Sequence, residues 1–97
     1  MHKLQVSKGR PKGAYTFDPA LANAIGRTVR EMRLVRRISQ EGLAALADIE
    51  RSHMGKIERG EHMPSLAAIW KLSKALEVSP SALVAAFEEK LRESARE

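Results

Sequence analysis

Apolar positions between Ser39 and Gly60 recur with a helical period in two short segments. Leu43, Leu46 and Ala47 fall at i, i+3 and i+4, and Met54 and Ile57 repeat three apart, so each segment offers one face to a core. Ser39 is an N-cap residue type ahead of the first segment, and Gly60 closes the second, because glycine enters the left-handed conformation at little cost. Between them, Ala47-Asp48-Ile49-Glu50 must turn the chain by roughly 90–120°. Such a corner calls for a positive φ, which Asp48 tolerates better than most non-glycine residues. Two helices this short bury too little alone and need helices on both sides.

The flanking pattern supplies them. Asp18-Pro19 opens a helix that should run to about Arg37, with Leu21, Ile25, Val29 and Met32 on one face. Gly26 inside it costs about 1 kcal/mol against alanine, a cost that close packing would explain. Ser65 caps a helix whose stripe is Leu66, Ile69, Leu72, Ala75 and Leu76, with Trp70 beside it as packing or partner-facing surface. Ser79-Pro80 starts a fifth helix with Leu83, Val84 and Phe87 inward, and its Glu88–Glu93 continuation is expected to be a solvated end. The expectation is an all-α, five-helix domain over residues 18–90. Residues 1–17, with Gly9, Pro11 and Gly13 and no hydrophobic period, read as a flexible basic arm, and 91–97 as a charged tail.

Composition agrees with one small globular unit: 97 residues, 43% hydrophobic and 30% charged. The absence of cysteine removes disulfides and thiolate chemistry. With no apolar run of membrane-spanning length and no signal-peptide core, the expected location is the cytoplasm and no membrane partner is expected. His2, His53 and His62 have no metal-ligand spacing, and no G-x-S-x-G, P-loop or G-x-G-x-x-G is present. These patterns argue for binding without catalysis, cofactor or metal.

Charge indicates what is bound. The net +5 is concentrated early: residues 21–37 hold five arginines against Glu31, and residues 1–20 hold Lys3, Lys8, Arg10 and Lys12 against Asp18. From residue 38 onward the balance is slightly negative. Phosphate neutralisation with counterion release would draw a polyanion to the N-terminal third, although a solvated charged face would look the same. Arg30, Arg36 and Arg37 are available to phosphates. Lys8-Gly9-Arg10-Pro11-Lys12-Gly13 looks like an AT-hook core with lysine in place of the first arginine, so Lys8, Arg10 and Lys12 are possible minor-groove contacts. His53 lies on the second short helix away from Met54 and Ile57, where it could meet a phosphate or a base.

The stretch from Ser39 to Gly60 resembles the phage-repressor-like (Xre, lambda-type) helix-turn-helix family. It carries the family pattern at Ser39, Gln40, Glu41, Leu43, Ala44, Ala47, Ile49, Ile57, Glu58 and Gly60, and the resemblance spans about Leu21 to Phe87. Asp48 stands where the family usually has glycine, and Glu50 where a small hydroxyl residue usually caps the second helix. The resemblance implies a lambda-repressor-like fold with the helix-turn-helix at helices two and three. It also implies sequence-specific reading of double-stranded DNA by helix 50–59 in the major groove, as a transcriptional regulator and most simply a repressor. Position by position, Arg51, Ser52 and Lys56 match base-reading places, Gln40 matches the residue that holds a phosphate and braces the reader, and Arg59 is placed with the phosphate contacts. Arg33 and Glu58 match a structural pair. Family members commonly bind as two-fold dimers, which here would use the fourth-to-fifth helix region, including Leu83, Phe87 and Leu91, unless those residues are wholly intramolecular core. An antitoxin that binds both operator DNA and a protein partner is the competing reading.

Overall fold

In the computed structural model, which describes residues 17–96, the chain forms α1 (Pro19–Val35), α2 (Gln40–Ala47), α3 (Arg51–Glu58), α4 (Leu66–Ala75) and α5 (Pro80–Arg96). The basic arm expected over 1–17 lies almost wholly outside the described residues, and with it Lys8, Arg10 and Lys12. The described residues give the all-α, five-helix architecture expected from the pattern, with the lambda-repressor-like arrangement that the resemblance implies. α1 packs against α3 and α5, α2 lies between α3 and α4, and α4 turns back onto α5. Leu43, Met54, Ile57, Leu72, Leu76, Leu83 and Val29 are fully buried where these faces meet.

Side-chain caps explain most helix starts. The Leu21 N–H donates to Asp18 Oδ1 at 3.1 Å, and the Gly42, Ala68 and Ala82 N–H groups donate to the hydroxyls of Ser39, Ser65 and Ser79. α3 differs from the other four helices: Glu50 occupies its N-cap and makes no capping bond.

The ends of α1 to α4 follow one pattern. Each closes with a residue at positive φ, followed by a reverse bond to the last turn, as when the Glu61 N–H reaches the Lys56 carbonyl past Gly60 (φ 74°). At α1, α2 and α4 that residue is not glycine but Arg37 (φ 59°), Asp48 (φ 56°) and Glu77 (φ 60°). Asp48 therefore makes the corner between α2 and α3.

Three expected core positions face outward. Leu46 is 64% exposed, Leu66 69% and Val84 48%. On α2 the inner face belongs to Leu43, Ala44 and Ala47, small enough for α3 and α4 to come close. On α4, Leu66 lies in the first turn, ahead of the buried Ala68, Ile69 and Leu72. α5 passes through residues 90 and 91 without interruption, anchored where Lys90 Nζ meets Glu31 Oε1 of α1 at 2.7 Å. Its side chains are exposed from Arg92 to Arg96.

Candidate nucleic-acid interface

The second helix of the pair is fixed from behind by ions. Arg33 on α1 donates from Nε to Glu58 Oε2 at 2.7 Å and from Nη2 to Glu58 Oε1 at 2.9 Å, while its Nη1 donates to the Ile38 carbonyl at 3.0 Å. Both residues are buried. The hydrogen bonds to Glu58 raise the Arg33 pKa above its ordinary value despite burial, so the guanidinium is charged at every accessible pH. Gln40 Nε2 adds a third donor to Glu58, 3.1 Å from Oε1. One carboxylate thereby ties α1, the start of α2 and the end of α3 together.

Gly26 makes this possible, because a Cβ there would lie 2.5 Å from the Ile57 carbonyl oxygen. α1 crosses the end of α3 at backbone contact, the close approach that an interior glycine suggested.

On the outer side of α3, Gln40, Arg51, Ser52, Gly55, Lys56 and Arg59 line one open cleft. Arg51, Ser52, Lys56 and Arg59 are exposed and Gln40 is partly so. Gly55 is buried under this surface. A side chain there would meet Arg59 Nη1 at 3.0 Å and Gln40 Oε1 at 3.4 Å. Glycine thus lets the Arg59 guanidinium lie back along the helix. Arg59 is further held by a two-bond pair to Glu61, at 2.9 and 3.2 Å, which raises the Arg59 pKa and lowers that of Glu61.

Other cations singled out by sequence lie elsewhere. Arg30, Arg36 and Arg37 are exposed but outside the cleft, and Arg36 Nη1 is 3.3 Å from Glu77 Oε1. His53 is half-buried, with its ring edge-to-face against His62 at a centroid distance of 4.3 Å. It lines a separate groove with Asp48, Glu50 and Lys71.

Lys71 was missed by sequence reasoning. Its Nζ reaches back from α4 to donate to the Asp48 carbonyl at 3.4 Å, placing a cation beside the helix-turn-helix corner. The only signal for it was its position off the Ile69–Leu72–Leu76 stripe.

A cleft with three basic side chains at one helix, flanked by a bracing glutamine, presents hydrogen-bond donors to an anionic, edge-patterned surface. Comparison with known proteins agrees. A helix-turn-helix family model matches residues 29–83. Control protein C.BamHI of Bacillus amyloliquefaciens is 45% identical over 60 residues, 61% of this chain and 74% of that protein. The crystal structure of the restriction-modification controller protein C.AhdI from Aeromonas hydrophila covers 64% of this chain and 94% of its own, with 40% identity and a TM-score of 0.62. The C.Esp1396I controller tetramer, solved in complex with its natural 35 base-pair operator, shares the fold at a TM-score of 0.67 and 22% identity, over 73% of this chain and 93% of that one. The chain belongs to the phage-repressor-like helix-turn-helix family of DNA-binding transcription regulators.

Proposed function

We propose that the chain binds its operator as a two-fold homodimer in the cytoplasm, with α3 in the major groove and Arg51, Ser52 and Lys56 at base edges. The observation that carries this reading is the cleft itself. It gathers those three residues with Gln40 and Arg59 on the one face of α3 that is not packed against the protein. Gln40 braces the reader through Glu58 and turns its remaining amide N–H to a phosphate, while Arg59 serves the flanking backbone. Lys71 and the N-terminal Lys8, Arg10 and Lys12 add further phosphate neutralisation. Names of the relatives support a control function of this kind, and the operator-bound tetramer supports assembly on DNA. No observation favours the antitoxin reading.

The dimer contact is best placed on an apolar groove between the starts of α1 and α4 and the face of α5, with Leu66, Val84 and Leu91 on its surface. Leu83, expected at this contact, is an interior residue of the protomer at 0% exposure, whereas Phe87, at 4%, forms part of the groove's floor. Selection from random duplex DNA tests the function. The expected product is a pseudo-palindromic motif with half-sites about one helical turn apart, protected by two protomers. Retention of all sequences alike would reject it.

A further inference from the structure

Glu50 is the anomaly of the interface. It stands exposed at the N-terminus of the reading helix, where an acid would face the negative surface of DNA. A carboxylate at a helix start is useful when it caps the first-turn N–H groups, and the side chains at the other four helix starts do so. Glu50 does not. Its carboxylate instead accepts the Ser52 hydroxyl, with Oγ 3.4 Å from Oε1, and so is held beside one of the base-reading positions. The nearby cation Lys71 is occupied with Asp48, so Glu50 has no basic partner among the described residues.

An ionised carboxylate only accepts hydrogen bonds, so it repels phosphates and most base edges. In the major groove the donors are the amino groups of cytosine and adenine. Adenine sets the N7 acceptor beside its N6 donor, which would oppose the second carboxylate oxygen, whereas cytosine offers N4 with no acceptor alongside. We propose that Glu50 is a specificity-determining residue that selects cytosine at one position of each half-site and rejects the other bases by repulsion. This rests on α3 reading the major groove, as argued above. Ser52 is then a positioning residue for the carboxylate as well as a weak reader.

The test is parallel selection of random duplexes by the full chain and by its Glu50→Ala and Glu50→Gln variants, with melting temperatures recorded for each. Because Glu50 is exposed and makes no capping bond, all three should fold. The natural chain should enrich one motif with a cytosine column. Glu50→Ala should erase that column, a loss of roughly tenfold discrimination, and bind non-cognate duplexes more tightly. Glu50→Gln should shift the same column toward adenine, since an amide pairs with N6 and N7. A motif from the natural chain that both variants reproduce in every column overturns the proposal, even if their affinity rises uniformly, because Glu50 would then act on phosphates alone. Absence of any motif from the natural chain overturns base reading itself and this inference with it.

Discussion

Gly26 and Ile57 touch through their backbones: a methyl group on Gly26 would come within 2.5 Å of the Ile57 carbonyl oxygen and 2.6 Å of that of Glu58. Neither atom belongs to a flexible side chain, so α1 and α3 must part to admit it. Gly26→Ala should gain about 1 kcal/mol in helix propensity and lose more to overpacking, which typically costs 1–3 kcal/mol, roughly. Urea denaturation should show net destabilisation, and DNA affinity should fall because α3 is displaced. A more stable Gly26→Ala variant would mean that the two helices do not approach this closely.

The Arg33–Glu58 pair sits on the same seam. Arg33→Met or Glu58→Met alone leaves a buried charge without its partner, at a cost of about 3–5 kcal/mol. Arg33→Met combined with Glu58→Met should cost less than the sum of the single substitutions, because no charge is left stranded. A double-mutant cycle in denaturant measures this, and additivity within error would remove the coupling. Glu58→Gln should also loosen Gln40, which shares Oε1, and so weaken operator binding more than stability alone explains.

Much of this seam could be read from sequence because its components are local and chemically distinct. Caps at Asp18, Ser39, Ser65 and Ser79, the interior Gly26 and the αL-tolerant Asp48 each announce a backbone requirement. The outward turn of Leu46, Leu66 and Val84 was not legible. Periodicity gives an apolar stripe but not its width, and the small residues Ala22, Ala44 and Ala68 take the inner positions that allow close helix contact. Within the interface, the gathering of Gln40, Arg51, Ser52, Lys56 and Arg59 follows from helical phase once the corner is fixed. The contact of His53 with His62, and of Lys71 with Asp48, depends on how the loop after α3 and helix α4 return to the corner. No local pattern encodes that.

Arg37 and Glu77 hold the same left-handed conformation as Asp48, but their longer side chains have no local compensation for it. Glycine at either place should relieve strain of about 1–2 kcal/mol, partly offset by the greater entropy of an unfolded glycine. Arg37→Gly and Glu77→Gly should each raise the melting temperature, Glu77→Gly despite losing its exposed pair with Arg36. Asp48→Gly should change it least. Thermal unfolding of the three variants provides the ranking, and Asp48→Gly as the most stabilising would invert the argument.

Specific reading and charge attraction should separate in two variants. Arg51→Ala should cost about 1–3 kcal/mol on the selected operator and relax choice at one base pair, with little change on scrambled DNA. Neutralising Lys8, Arg10 and Lys12 together should weaken binding to every duplex and flatten its salt dependence, more so on A·T-rich flanks if the arm enters the minor groove. Salt titrations on specific and scrambled duplexes read both. Equal loss from Arg51→Ala on the two duplexes would reduce α3 to a phosphate-binding face.

The dimer contact can be tested without disturbing the protomer core. Leu66 is 69% exposed and lies in the first turn of α4, where an acid suits the helix dipole, so Leu66→Glu should leave folding intact. Val84 is 48% exposed on the adjoining face of α5, and Val84→Glu adds a second charge to the same groove. Two glutamates per protomer, facing two more across a two-fold axis, would combine desolvation with like-charge repulsion. Sedimentation should therefore show the natural chain as a dimer and the double variant as a monomer of nearly unchanged melting temperature. Operator affinity should fall steeply, since each half-site must then be bound independently, while affinity for a single half-site should stay close to that of the natural protomer. A double variant that still sediments as a dimer would move the contact to another face.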